Sequence, residues 1–180
     1  MLFRSQLFAA AYRMNPNLFF LLLAPESDHG KAREWMDRHE LPQAAVLLRE
    51  LPQAAVGAAL QQADVGLLLR RADAVNRVSS PTKFGEYLAA GLPVIMTGGI
   101  GDYSQLAAES GTGLVLAAEI VEKDGFTPAV IEQVVRYVQE CKKEREAVAA
   151  RCRRVAREYL HWDVAGRNLQ QVFQKAFIEA

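Results

Sequence analysis

Neither sign of charge is in excess in this sequence: 21 Lys and Arg stand against 21 Asp and Glu, for a formal net charge of +0. A dedicated nucleic-acid binder carries a basic surplus, so that class is set aside. Cysteine is scarce as well. Cys141 and Cys152 are too far apart for a Cys-x-x-Cys pair and both fall in a predicted helix. They read as reduced structural thiols, which points to a cytoplasmic protein. His29, His39 and His161 are scattered, without the spacing of a metal site, so no metal is expected. No apolar run approaches the roughly 20 residues needed to cross a bilayer. The opening "MLFRSQLFAAAYRMNP" lacks the long apolar centre and cleavage site of a secretory signal, and reads as an amphipathic helix that starts abruptly.

What is present suits one folded unit. A chain of 180 residues that is 51% hydrophobic can bury a sizeable core, and residues 1–180 read as a single domain. Short apolar runs alternate with helical patterns. A helix over about 3–14 ends at "NPN"; "LFFLLLA" (18–24), "AAVLL" (44–48), "DVGLLL" (64–69), "LPVIM" (92–96) and "GLVL" (113–116) read as strands of a parallel sheet covered on both faces. Helices are predicted in "SDHGKAREWMDRHE", with Ser27 or Asp28 as cap, in 54–63, from Pro81, and up to about Ser110. A long charged helix over about 128–158 and a last one in "DVAGRNLQQVFQKAF" complete the chain. This alternation predicts an α/β fold, a Rossmann-like three-layer doubly wound parallel sheet followed by C-terminal helices. The heptapeptide "ELPQAAV" occurs at 40–46 and again at 50–56, too few copies for a solenoid. Its first copy leads into a strand and its second into a helix, and no function is assigned to it.

Ligands of such sheets bind at the loops beyond the carboxyl ends of the strands. The first such loop is "NRVSSPTK", within the polar segment 70–80 and the helix start after it. Pro81 suits the first helical position, where its missing N–H costs nothing, and Ser80 then reads as the N-cap. The free amides of Thr82 and Lys83, with the Lys83 and Arg77 cations nearby, form an anion site suited to phosphate. A surface helix merely capped by Ser-Pro is the plainer alternative. At about 100° per residue, Phe84 and Leu88 share one face of the helix while Thr82 and Glu86 lie roughly opposite. Glu86 is then roughly 7 Å along the axis from the anion site, where it can accept hydrogen bonds from hydroxyls attached to the phosphate, as in a ribose. The alternative for Glu86 is a solvated glutamate paired with Lys83 three residues back. The second loop is "TGGIGDYSQL". Gly99-Ile100-Gly101 begins a dinucleotide fingerprint, but Ser104 stands where its third glycine belongs. Glycines there let main-chain amides approach a sugar or phosphate.

These residues carry a resemblance. "ADVGLLL…SSPTKFGEYLAAGLPVIMTGGIGD…GTGLVL", strongest over 63–116, resembles the C-terminal donor-binding domain of retaining GT-B glycosyltransferases of the large family 4 group, and "EYLHWDVAGRNLQQVF" extends it. The resemblance implies transfer of a sugar from a nucleotide sugar to a glycan or lipid-linked acceptor, as in polysaccharide biosynthesis. It implies no cofactor and no metal, because helix termini and basic side chains neutralise the leaving diphosphate. The family pairs two glutamates. The second, which binds the ribose, falls on Glu86; the first, which contacts the transferred sugar, falls on Val78, and valine accepts no hydrogen bond. Nucleotide-sugar contacts are therefore expected from Arg77, Ser79, Ser80, Thr82, Lys83, Glu86, Gly99 and Ile100, with no catalytic residue assigned.

The resemblance also implies an acceptor-binding N-terminal domain and a first strand that are missing here, so that the chain is expected to be a fragment inactive alone. It further implies that residues 160–180 form a helix that packs back toward that domain. An uncovered sheet edge would then favour self-association. A sugar-nucleotide epimerase and a non-enzymatic nucleotide- or partner-binding module are the competing classes. Arg151, Arg153, Arg154 and Arg157 form a basic stretch that would suit the inner membrane surface, but Glu144, Glu146 and Glu158 dilute it, favouring a solvated helix face.

Overall fold

The computed structural model describes residues 2–71, 73–121 and 126–177. Helix α1 (Leu2–Met14) leads into β1 (Phe20–Leu23), α2 (His29–Arg38), β2 (Val46–Arg49), α3 (Gln53–Leu60) and β3 (Gly66–Leu68). A four-residue helix, α4 (Ala74–Arg77), lies in the segment expected to be a polar loop; α5 (Thr82–Ala90), β4 (Val94–Thr97), α6 (Tyr103–Glu109) and β5 (Gly113–Leu116) follow. The C-terminal part is α7 (Pro128–Lys143), α8 (Arg145–Val155), a π-turn at Ala156–Leu160 and α9 (Trp162–Phe177). All strand pairs are parallel, as the apolar runs and crossover helices require. They form two sheets, β1–β2 and β3–β4–β5.

Strand β4 sits in the middle of the larger sheet and is buried along its whole length. Its alternation sorts the core. Val94 and Met96 join Leu68, Phe84, Leu88, Ala107 and Cys152 on the side covered by α5, α6 and α8. Ile95 joins Leu7, Ala11, Ile131, Val134 and Val135 on the side covered by α1 and α7. These are the three layers. The smaller sheet packs Phe20, Leu22 and Val46 against Phe8, Ala9 and Met36 of α1 and α2. Helix α1 thus serves both sheets, with Leu7 and Ala11 turned to one cluster and Phe8 and Ala9 to the other.

The long helix expected over 128–158 is two helices. They meet at Glu144, whose backbone leaves the helical region at φ −107° and ψ 29°. The Arg145 guanidinium then donates to Asp64 Oδ1 at 3.0 Å and to the Gln61 carbonyl at 2.6 Å, gripping the turn between α3 and β3. The break carries the chain from the Ile131 face of the sheet to the Cys152 face, which one straight helix could not cover. The basic stretch of α8 is dispersed: Arg153 donates to the Ala90 carbonyl at 3.3 Å and Arg154 pairs with Glu158 at 3.3 Å. Among the described residues no helix is long and apolar enough to cross a membrane.

Two consequences are measurable. A Cβ on Gly113 would lie 2.9 Å from the Val94 carbonyl and 3.0 Å from Ala107 Cβ, so the sheet must move to admit it. Gly113→Ala is expected to cost about 1–3 kcal/mol, read as a lower denaturation midpoint at unchanged slope. Cys141 and Cys152 are free and buried, and burial pushes the Cys152 thiol up to about 11. Little thiolate exists at pH 8, so iodoacetamide should leave Cys152 unlabelled in the native protein and label it once denaturant is added.

Candidate functional site

The two glycine- and serine-containing loops after β3 and β4 lie against each other at the carboxyl end of the larger sheet. Their contact begins where the ladder stops. The fully buried Thr97 hydroxyl donates to the Arg70 carbonyl at 2.8 Å and accepts from the Arg70 amide at 3.0 Å, replacing strand pairing with a side chain. Arg70 in turn donates from Nη1 to Asn76 Oδ1 at 3.1 Å and to Ser79 Oγ at 3.3 Å. Asp73 caps α4 by accepting from the Asn76 amide at 2.7 Å, and Ser79 Oγ donates to the Asn76 carbonyl at 3.0 Å.

The second loop closes on the first through Gly101. Its amide donates to the Asn76 carbonyl at 3.2 Å. Its φ is +46°, and a Cβ there would lie 2.6 Å from the Ser79 carbonyl oxygen, so only glycine fits both the conformation and the space. Tyr103 completes the clasp. Its hydroxyl lies 2.6 Å from Ser80 Oγ, and its ring stacks on Phe84 with centroids 4.8 Å apart.

This arrangement corrects the expected start of α5. Ser80 is not the N-cap: Pro81 occupies that position, extended at ψ 116°, and Thr82 is the first helical residue, with no side-chain cap bond. The cause is Tyr103, which engages the Ser80 hydroxyl that would otherwise turn back to the helix. The amides of Thr82 and Lys83 therefore have no acceptor among the described residues, whereas the Phe84 amide donates to the Pro81 carbonyl at 3.0 Å.

The sequence-predicted residues divide into two groups. Arg77, Thr82, Lys83 and Glu86 are exposed, and the last three lie on the face of α5 opposite the fully buried Phe84 and Leu88. The ion pair between Lys83 and Glu86 is not formed, and neither Arg77, Lys83 nor Glu86 has a side-chain partner among the described residues. Ser79 and Ser80 instead hold the loops together. Ile100 buries its side chain completely in the core, so only its main chain faces the loop, while Gly99, at φ +73°, has open space around it. Val78 is 85% exposed.

Sequence reasoning missed Arg70, Asn76, Thr97 and Tyr103. Asp73 three residues before Asn76 is a capping signal that could have revealed α4. The Arg70–Thr97 and Ser80–Tyr103 pairs span 27 and 23 residues and left no local signal. Thr97→Val keeps the shape and strands both Arg70 main-chain groups, so a loss of about 1–3 kcal/mol is expected in urea denaturation.

The model of the glycosyl transferase-like family matches residues 4–170, and the chain belongs to that family. No curated protein matches it.

Proposed function

We propose that this glycosyltransferase-type domain binds a nucleoside diphosphate sugar as the donor for glycosyl transfer. The observation that carries the reading is the exposed face of α5, where the unpartnered Lys83 and Glu86 share one stripe with the first free amides of the helix. The diphosphate would accept from the Thr82 and Lys83 amides at the positive end of the helix dipole, with the Lys83 and Arg77 cations beside it. The Glu86 carboxylate, four residues on and so about 6 Å along the axis, would accept from the ribose hydroxyls. In the transfer step the bond from the anomeric carbon to the diphosphate oxygen breaks, a bond from the acceptor hydroxyl oxygen to that carbon forms, and the hydroxyl proton passes to the departing diphosphate. The same amides and cations then hold the developing charge without need of a metal.

On this reading the transfer retains anomeric configuration and the acceptor is a glycan or a lipid-linked sugar, presented at the cytoplasmic side by an acceptor-binding domain. The family resemblance supports these finer features. Val78 offers no hydrogen bond to the donor sugar, so that contact would pass to the main chain of the Gly99–Ile100 loop.

Thermal denaturation with UDP and with GDP tests the donor site. At a hundred times the dissociation constant the bound nucleotide should add about 2.7 kcal/mol, a rise of roughly 5–10 °C for a domain of this size. Glu86→Ala should remove the rise while leaving the melting of the free protein in place, because the side chain is exposed. No rise with either nucleotide would sink the proposal.

A further inference from the structure

A hollow lies beside the loop clasp, between α6 and the π-turn. A surface hollow of about 340 Å³ is lined there by Asp102, Tyr103, Gln105, Glu109, Tyr159 and Leu160. Its size falls within the roughly 300–1,000 Å³ of small-molecule sites. We propose that this hollow binds a neutral hexopyranose, at a position separate from the donor site on α5.

The chemistry of the lining selects that ligand class. A pyranose has an apolar C–H face ringed by hydroxyl donors. Tyr159 is 59% exposed and without a side-chain partner among the described residues, so its ring is available to lie on such a face. Tyr103 is a fixed wall, held by its stacking on Phe84 and by Ser80. The rim is made of acceptors. The Asp102 carboxylate has no partner among the described residues. Gln105 Nε2 donates to Glu109 Oε1 at 2.7 Å, which orients both side chains and leaves Gln105 Oε1 and Glu109 Oε2 to accept from hydroxyls. No lysine or arginine lines the hollow, which excludes phosphate and acidic sugars.

The backbone supplies an independent pointer. Ala156–Leu160 is a π-turn, a rare widening of the helix that recurs at functional sites. It turns Leu160 inward, toward Gly85 and the core, while Tyr159, one residue earlier, stays exposed beside α6.

The test is a titration of the ¹⁵N-labelled protein, without nucleotide, with methyl α-glucoside, methyl α-mannoside and methyl β-galactoside. At least one should shift the amide resonances of residues 102–109 and 156–160. Tyr159→Ala should weaken that binding about tenfold, near 1.4 kcal/mol, and Asp102→Asn should weaken it as well. Both positions are exposed, so the variants should melt like the parent. Glu86→Ala should leave the sugar titration unchanged, which separates this site from the donor site whatever UDP and GDP do. No shifts with any of the three glycosides would overturn the proposal, as would binding that survives Tyr159→Ala or is lost in Glu86→Ala.

Discussion

The fully buried hydroxyl of Thr97 is the point from which the loops at the carboxyl end of the larger sheet are built. The ladder between β3 and β4 ends at Leu68 and Met96, and the main-chain groups of Arg70 beyond it have no strand partner on β4. Thr97 restores both bonds to Arg70 at once, at 2.8 and 3.0 Å. With its backbone fixed, the Arg70 guanidinium is placed to hold Asn76 and Ser79. The Ser79 carbonyl then abuts Gly101, and Asn76 accepts the Gly101 amide. A single side chain therefore sets the entry of both loops, and through them the direction in which α5 departs.

The polar groups of the clasp and those of the exposed stripe are different sets, and the difference has a physical cause. Ser79, Asn76, Ser80 and Tyr103 are all engaged by the protein itself. Thr82, Lys83, Glu86 and Arg77 remain exposed. Satisfying the first set inside the protein removes their freedom, so the second set is presented on a frame that does not have to be ordered when something binds. Affinity lost to ordering a loop is avoided in such an arrangement. The buried Ile100 side chain acts in the same way, anchoring the Gly99–Ile100 main chain to the core.

Local chemistry made much of this legible in the sequence. Strand β5 falls at 113–116 as expected, and the opposition of Thr82 and Glu86 to Phe84 and Leu88 follows from helical period alone. The heptapeptide shows where local reading runs out. Both copies place a proline at the helix N-cap, Pro42 at ψ 143° and Pro52 at ψ 149°, and both begin a helical turn at the next glutamine. After Ala45 the first becomes a strand at Val46, while the second continues as α3 through Leu60. Seven identical residues fix the turn, and the Leu-Leu-Arg or Gly-Ala-Ala that follows decides the rest. The break at Glu144 has no glycine or proline to announce it; it lets α7 and α8 cover opposite faces of the sheet, and Arg145 beside it bonds Asp64 and the Gln61 carbonyl, some 80 residues away in sequence. The displaced cap at Ser80 also involves a distant partner, since a tyrosine 23 residues away competes for its hydroxyl.

Val78 is where the donor-binding reading would bear on specificity. The side chain is 85% exposed and Val75 is 73% exposed, two apolar groups that flank Asn76 and Ser79, whose polar atoms are engaged by Arg70. Exposing them to water is unfavourable, and covering a valine by a ligand returns about 25 cal/mol for each Å² removed from water. A hydrogen-bonding site discriminates strongly among sugars, because a missing hydroxyl leaves a buried partner unsatisfied, whereas an apolar contact discriminates weakly. Under the donor-binding reading, Val78 therefore favours contact area over the identity of the sugar's hydroxyls. On that reading selection among donor sugars would rest on the main chain of residues 98–101, whose conformation Gly101 and the buried Ile100 hold in place.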